Sequence, residues 1–453
     1  MQAGEMVGLV LATGELITPA DPAYDEARKI WNGAIDRRPA LIARCREVAD
    51  VIDALWLARE RELPIAVRGG GHGVAGTALC DDGIVIDLSL MNGVTVDPDA
   101  RTARAGGGTL WGAFDTATQA HGLATVGGIV THTGIAGLTL GGGIGWLMRA
   151  HGATVDNLLG AEVVTVDGSV VTADEELLYG LRGGGGNFGI VTSFEYRLHE
   201  VGPTVLAGPI YYALEDGPEV LRFFRDFIAD APDELTTIVN LRQAPPLPVL
   251  PPELHGRPVV AIGTCWAGDP EAGERALAPL RAFGTPLIDL VAPRPYVELQ
   301  TMFNPAVPHG WHYYWKSWET PPLTDAAIDT LVDRAAAITS PRSYIIVFQL
   351  GGAMTRPPHD TAFGQRSEGH DVNINAVWLE DDPDGERHTQ WTRDTYDALE
   401  PHGAGRAYVN FMGDEGSARV RAAYGAETYD RLVALKRAYD PDNLLRLNQN
   451  IAP

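Results

Sequence analysis

The chain has 453 residues, enough for two or three folding units, and its 45% hydrophobic and 21% charged residues are the proportions of a globular protein with a substantial core, not of a disordered one. Its net charge of −24 works against nucleic acid, whose binding draws on Lys and Arg to displace counterions, and against an anionic membrane surface. The three cysteines, Cys45, Cys80 and Cys265, stand far apart without a CxxC pair, so neither a disulfide framework nor a zinc cluster is expected.

In chain order, residues 1–8 lack a basic segment and the apolar stretch 6–12 is short, so no signal peptide or membrane anchor is expected and a cytoplasmic location is the default reading. Residues 49–62 carry apolar side chains at Val51, Ile52, Leu55, Leu57 and Ala58, the spacing of a helix. Residues 64–68 read as a short buried strand running into Gly69-Gly70-Gly71-His72-Gly73, residues 83–88 as a second strand, and residues 94–104 as a hairpin about a Pro-Asp turn. Helical spacing covers 109–121, with Gly122 placed as its C-cap. Glycines crowd again between Gly127 and Gly145. Residues 162–172 then form a hairpin closed by Asp167-Gly168, and Arg182-Gly-Gly-Gly-Gly-Asn-Phe-Gly189 feeds a strand over 190–198.

Composition changes near Val201. Strands at 259–263, 344–350 and 372–378 alternate with helical stretches at 218–230 and 325–338, the pattern of an α+β unit with an antiparallel sheet covered by helices. The proline-rich stretch 243–252 reads as an irregular surface connection, and the tail brings a helix with Tyr439-Asp-Pro-Asp-Asn443 as its stop. The organisation expected is a first unit over 1–200, a second over 201–400 and a closing segment over 401–453.

Three glycine clusters supply runs of unobstructed N–H groups, which suit a diphosphate or a ring edge. The first is not a P-loop, because no Gly-Lys-Ser/Thr follows, and it lacks the helix and acid of the dinucleotide fingerprint. Alone, His72 beside glycines would read as an ordinary loop histidine. The second cluster, Gly134-Ile-Ala-Gly137-Leu-Thr-Leu-Gly141-Gly-Gly143-Ile-Gly145, joins hydrophobic spacing to a backbone-exposing turn, with Asp156-Asn157 soon after. A flat, polar-edged heterocycle on a long diphosphate tail needs such a cradle along two loops.

Taken together, Arg68-Gly-Gly-Gly-His72, Gly127-Gly, Thr133-Gly-Ile-Ala-Gly137-Leu-Thr-Leu-Gly-Gly-Gly143, Asp156-Asn157, the Arg182 to Gly189 cluster and the terminal Asn448-Gln-Asn450 resemble the berberine bridge enzyme-like branch of the vanillyl-alcohol-oxidase flavoprotein superfamily, in its bacterial 6-hydroxy-D-nicotine oxidase-like form. The resemblance spans nearly the whole chain. It implies an α+β architecture: a PCMH-type FAD-binding fold of two subdomains joined to a substrate domain. It implies FAD bonded through its 8α-methyl to His72. Many relatives also bond flavin C6 to a cysteine two residues after the Gly-Gly; Val130 stands there and cannot, so a single link is implied. The same resemblance puts Arg68, Gly69, Gly70, Gly71, Gly73, His132, Thr133, Gly134, Gly137, Gly142, Gly143, Gly145, Asp156, Asn157, Gly189, Val191, Asn448 and Asn450 around the flavin.

Flavin oxidation needs a substrate carbon over N5 and a group that takes the O–H or N–H proton as hydride leaves. Tyr408-Val-Asn410 is the expected place, since period-two spacing on a strand puts both side chains on one face and relatives carry a similar Tyr-x-Asn beside the flavin. Tyr408 would serve as base if its pKa, normally about 10, were lowered; otherwise it is a buried tyrosine with one hydrogen bond. Some relatives add a second tyrosine in the glycine loop, but Ile144 stands there. Gln349, and Asn373 with Asn375 on one face of another strand, are the remaining polar candidates, or else solvent-facing strand positions. The aromatic run Trp311-His-Tyr-Tyr-Trp315-Lys316 lines the substrate cavity by resemblance, with Tyr313 and Trp315 as wall residues; a sheet face packed on helices is the plainer reading. No metal is expected, because His72, His121, His132 and His151 lack ligand spacing.

Relatives that use oxygen carry a small residue, usually valine, three positions beyond the cysteine site. Thr133 is isosteric with it. The implied activity is an oxidase taking a small alcohol, sugar, amine or aromatic substrate and O2 and releasing hydrogen peroxide. Alternatives are a dehydrogenase with another acceptor and a flavin-binding protein without turnover; the latter has no need of a polar group over N5.

Overall fold

The computed structural model describes residues 11–453, so most of the stretch weighed above as a leader lies outside the described residues. Among the described residues, no helix is long and apolar enough to cross a membrane.

The first sheet has four strands: β1 (Glu15–Ile17), β2 (Leu41–Arg44), β3 (Ile65–Arg68) and β4 (Ile84–Asp87), in the order β1-β2-β4-β3. β2 and β3 both run parallel to β4, and the helix Val48–Glu60 makes the crossover that a parallel arrangement requires. Both faces are covered, so alternate residues feed different cores. Leu41, Ala43, Ile84 and Ile86 pack on that helix through Val51 and Leu55, while Ile42 and Val85 pack on Ile17 and Tyr24. This is why the strands read as unbroken apolar runs. The first glycine loop leaves from the carboxyl end of β3, the edge of a parallel sheet where ligands bind in open α/β folds.

The next strands are β5 (Val94–Asp97), β6 (Thr102–Gly106), β7 (Leu123–Ala124), β8 (Leu158–Val164), β9 (Val170–Thr172), β10 (Ile190–Arg197) and β11 (His199–Glu200). The antiparallel second sheet runs β5-β6-β10-β8-β9, and β7 pairs with β11. The expected helix after β6 forms over Trp111–Gln119, and Gly122 follows it with φ +67°, a left-handed conformation suited to a residue without Cβ.

An eight-stranded antiparallel sheet follows, built from β12 (Thr204–Ala213), β13 (Leu235–Gln243), β14 (Pro258–Trp266), β15 (Ile288–Asp289), β16 (Ala292–Pro295), β17 (His312–Thr320), β18 (Tyr344–Gln349) and β19 (His370–Trp378). Its order is β15-β12-β14-β13-β18-β19-β17, with β16 also on β12. Period-two alternation divides each strand between two cores. Ile345, Val347, Val372 and Ile374 pack on helices such as Gly217–Ala229 and Asp325–Ala336; Tyr344, Ile346 and Phe348 face the other way, with Trp146 and Ile144 of the first unit.

The tail forms two helices, Ser417–Tyr424 and Ala426–Tyr439, and then returns to the third glycine cluster. Buried Lys436 fixes that return. Its ammonium pairs with Asp440 at 2.7 Å and donates to the backbone oxygens of Asn187 and Leu445, each at 3.0 Å. A buried charge so fully engaged makes the geometry of the return specific.

Candidate active site

The three glycine clusters and the free face of the eight-stranded sheet enclose a cavity of about 340 Å3. Among the described residues, no Asp, Glu, Lys or Arg lines it. The first two loops cross on bare backbone. A Cβ on Gly70 would lie 2.4 Å from the nitrogen of Gly134, and one on Gly134 would lie 2.4 Å from the nitrogen of Gly70. Alanine at either position must part the loops. Gly70→Ala is expected to reduce bound cofactor by roughly tenfold or more, since such overpacking costs about 1–3 kcal/mol. The flavin-to-protein absorbance ratio of the purified variant checks this.

His72 lies on the wall of this cavity. Its ring stacks on Trp31, with centroids 4.2 Å apart and planes 16° off parallel, and has His132 beside it at 5.0 Å; His309 follows 5.0 Å beyond His132. Burial first, then His132 and His309, hold its pKa well below the usual histidine value, while a hydrogen bond to its own backbone acts the other way. The imidazole is therefore neutral, and its Nε2 is buried without a hydrogen-bond partner. Trp31 is locked in turn by its Nε1–H, which donates to the Val307 oxygen at 2.8 Å, and by Tyr313 stacked on it at 3.7 Å. Tyr313 thus stands behind Trp31, its hydroxyl donating to the Pro308 oxygen, and is not the wall residue expected; Trp315 is.

Gly69, Gly70, Gly71, Gly73, Val130, Thr133, Gly134, Gly137, Gly189, Val191 and Asn448 are on the wall, as is Ile144. The other expected flavin residues work one layer out. Arg68 pairs with Asp87 at 2.5 Å, its neighbour in the parallel register, and donates to the Ala27 oxygen at 2.7 Å. His132 contacts His72 and not the cavity. Gly142 packs under Phe363, Gly145 against the Gly127 oxygen, and Gly143, at φ +85°, turns its N–H to the Tyr408 oxygen at 2.7 Å. The Asp156 carboxylate is gripped by the Arg366 guanidinium at 2.7 Å and accepts the Ala153 N–H. Asn157 donates to the His151 and Ala153 oxygens. Both belong to the 3-10 turn Thr154–Asn157 that supports the second cluster. Gln449 is on the wall in place of Asn450.

On the facing side, Tyr408 and Asn410 meet, but not on a strand. Tyr408 caps the 3-10 turn Val409–Phe411, and that turn brings the Asn410 Nδ2 within 2.8 Å of the Tyr408 hydroxyl oxygen. Asn410 also donates to the Leu138 oxygen at 3.0 Å, and Gly141 exists for its sake, since a Cβ there would sit 2.1 Å from the amide oxygen. Burial pushes the Tyr408 pKa up, against the pull of the hydrogen bonds from Asn410 and Gly143, so the lowered value needed for a base is absent. Asn373 and Asn375 share the cavity face of β19 and reach the wall. Gln349 does not. It has the parity of Ile345 and Val347, and its amide oxygen accepts the Thr237 hydroxyl at 2.6 Å under the helices. Ile346, Phe348, Phe411 and Tyr344 complete this wall without having been singled out.

Beyond the asparagines the same face of β19 runs on to Asp371, fully buried opposite Glu319 of β17. Burial pushes Asp371 up to about 8, with the Gln365 hydrogen bond opposing the rise and Glu319 adding to it. Burial likewise pushes Asp115 up to about 7. Folded protein therefore holds protons that the unfolded chain, at the ordinary 3.8, has released, so this stabilisation is complete below that value and is lost as pH rises through 7 and 8. Buried His132, His199 and His370 act with the opposite sign, but only below the ordinary 6.5. Asp371→Asn is accordingly expected to gain stability relative to the parent between pH 6.5 and 8, read from urea midpoints. Parallel curves would contradict it.

These residues fit a flavin dinucleotide. Loops that no Cβ could share suit a diphosphate met by backbone N–H groups, and a neutral imidazole with an unpartnered nitrogen suits the ring edge. The fold and cavity define an FAD-binding oxidoreductase. Residues 39–174 match the family model described as FAD binding domain, and residues 407–452 the one described as Berberine and berberine like. Over 434 residues the chain is 33% identical to an FAD-linked oxidoreductase of Dictyostelium discoideum, covering 94% of this chain and 91% of that protein. It is 32% identical to (R)-6-hydroxynicotine oxidase of Paenarthrobacter nicotinovorans, with 97% of each covered. The crystal structure of 6-hydroxy-D-nicotine oxidase from Arthrobacter nicotinovorans matches it with a TM-score of 0.89 at 30% identity over 99% of both chains. The chain belongs to the berberine bridge enzyme-like FAD-linked oxidoreductases.

Proposed function

We propose that this enzyme is an oxidase that takes hydride from an alcohol, sugar or amine carbon onto N5 of an FAD bonded to His72 and returns the electrons to O2 as hydrogen peroxide. The observation that carries the reading is the His72 imidazole: neutral, clamped between Trp31 and His132, with Nε2 unpartnered on a wall of bare backbone. FAD, when bound, supplies the two-electron acceptor.

The chain's own groups supply position and polarity. Both lone pairs of the Tyr408 oxygen are taken, by the Gly143 N–H at 2.7 Å and the Asn410 amide at 2.8 Å. Only its own O–H is left, so Tyr408 donates to the substrate oxygen or nitrogen and holds it in place. It does not take the substrate proton: an alcohol proton is released to solvent before hydride leaves, and a neutral amine gives up hydride without one being taken. Apolar Ile346, Phe348 and Phe411 exclude water around that contact.

Thr133, small and on the wall, leaves room for oxygen beside the flavin. Protein reduced by light and mixed with aerated buffer is expected to reoxidise faster than free reduced flavin, with release of peroxide. Thr133→Leu should slow that step by roughly tenfold, about 1.4 kcal/mol of barrier. Reoxidation no faster than free flavin, with rapid turnover on a quinone, would make the enzyme a dehydrogenase instead.

A further inference from the structure

Four arginines are buried among the described residues, and three of them are answered. Arg68 pairs with Asp87, and Arg182 has the Glu175 carboxylate and the Leu158 oxygen. Arg149 donates from Nε and both Nη groups to the backbone oxygens of Leu235, Leu350 and Ala231 at 2.8–3.0 Å. Arg242 is different. Its Nε donates to the Gln243 oxygen at 3.2 Å, and neither Nη meets an acceptor. Among the described residues no carboxylate pairs with it, and the groups whose charge reaches it are Tyr344 and Tyr211. Its Cζ lies over the Tyr344 ring, 5.3 Å from the centroid. A phenol face returns only part of the hydration that burial takes from a cation, so the guanidinium is left short of an anion.

Its position ties it to the cavity. Tyr344 stands opposite Arg242 in the β13–β18 register, Asn375 opposite Tyr344, and Trp315 opposite Asn375. The last three line the cavity, so the row continues one strand past the wall, about 5 Å outward, to end on a positive charge. Tyr211 reaches the same face from β12. These groups can be reached. Arg242, Tyr211 and Tyr344 are 9%, 8% and 7% exposed, and neither the Nη groups nor the two hydroxyls are sealed from solvent. The hydroxyls have no partner in the protein, and burial raises both phenol pKa values, so they stay protonated and serve as donors.

One positive charge with no second cation acting on it matches a single negative charge. A flat fork of N–H groups matches two oxygens in one plane. A carboxylate has both properties, whereas a phosphate dianion would keep one charge unanswered. We propose that Arg242, with the hydroxyls of Tyr211 and Tyr344, forms a carboxylate site at the outer end of the substrate cavity, filled by an acid group on the molecule being oxidised or by a free organic acid bound beside it. The first source rests on the flavin-oxidase reading above; the site itself does not.

The test uses the purified holoenzyme and follows its urea midpoint at fixed ionic strength with two probe pairs, acetate against acetamide and benzoate against benzamide. In at least one pair the acid is expected to bind roughly tenfold or more tightly than the amide, which has the same shape without the charge. Arg242→Leu should lose that preference, while its midpoint without ligand stays level or rises, because an unpaired buried cation is gone. Arg242→Lys keeps the charge without the fork and should bind the acid more weakly than the parent. Should the leucine variant fail to fold, the parent and Arg242→Lys decide. Flavin reduction then separates the sources. Faster reduction by 4-(hydroxymethyl)benzoate than by its amide, with benzoate competing, puts the carboxylate on the substrate; acid binding that leaves reduction by benzyl alcohol unchanged makes it a free acid. Equal binding of acid and amide in both pairs, or a preference that survives in Arg242→Leu, would overturn the site. Acid binding intact in a protein whose flavin no alcohol, sugar or amine reduces would overturn the oxidase reading and leave the site standing.

Discussion

His72→Ala is expected to yield protein that releases all its flavin on denaturation, where the parent retains it. The glycine loops are untouched by this change, so FAD can still enter, but no nucleophile remains on the wall beside its methyl edge. The alternatives are chemically poor. Val130 occupies the place of the second linkage found in many relatives, and burial pushes the Cys80 thiol up to about 11, far from a reactive thiolate. Loss of the stack on Trp31 should also cost about 1 kcal/mol of stability, within reach of a urea titration. In-gel flavin fluorescence reads the bond, and a variant that still fluoresces after denaturation would place the link elsewhere.

Tyr408→Phe is expected to slow reduction of the bound flavin by roughly 100-fold, the scale found when one preorganised donor is removed from a reacting oxygen. The ring keeps its edge-on packing with Phe411, at 4.9 Å, so the fold should be intact. Two N–H groups, of Gly143 and Asn410, lose their acceptor, and part of the effect comes from their relaxation. The pH profile separates donor from base. With a hydroxyl held protonated by burial, the parent's rate should show no titration that the phenylalanine variant lacks. A limb on the alkaline side that vanishes in the variant would restore Tyr408 as the proton acceptor. Rapid-mixing reduction with an alcohol, sugar or amine substrate gives both readings.

The sequence carried the cofactor more clearly than the substrate. The glycine clusters are visible because at positions such as Gly70, Gly134 and Gly184 close backbone approach leaves no room for a Cβ, and that constraint is local. Roles one layer out were hidden by the same motifs. Arg68 and Asp156 sit within them yet serve Asp87 and Arg366, contacts made by a parallel register and by a loop more than 200 residues away. Trp31 had no signal at all, because its stack on His72 is purely tertiary. On β18 the run Tyr-Ile-Ile-Val-Phe-Gln is buried on both faces, so its polarity gives no parity, and Gln349 was assigned to the wrong side. Tyr408 and Asn410 were found for a mistaken reason. They meet through a tight turn, which brings residues two apart together as well as a strand would.

The central claim is the bond at residue 72, and the tryptic peptide spanning residues 69–101 tests it most directly, since His72 is its only histidine. Mass analysis of denatured, digested protein should find that peptide carrying one flavin dinucleotide, with fragmentation placing the added mass on the histidine. A peptide of unmodified mass from yellow protein would contradict the account.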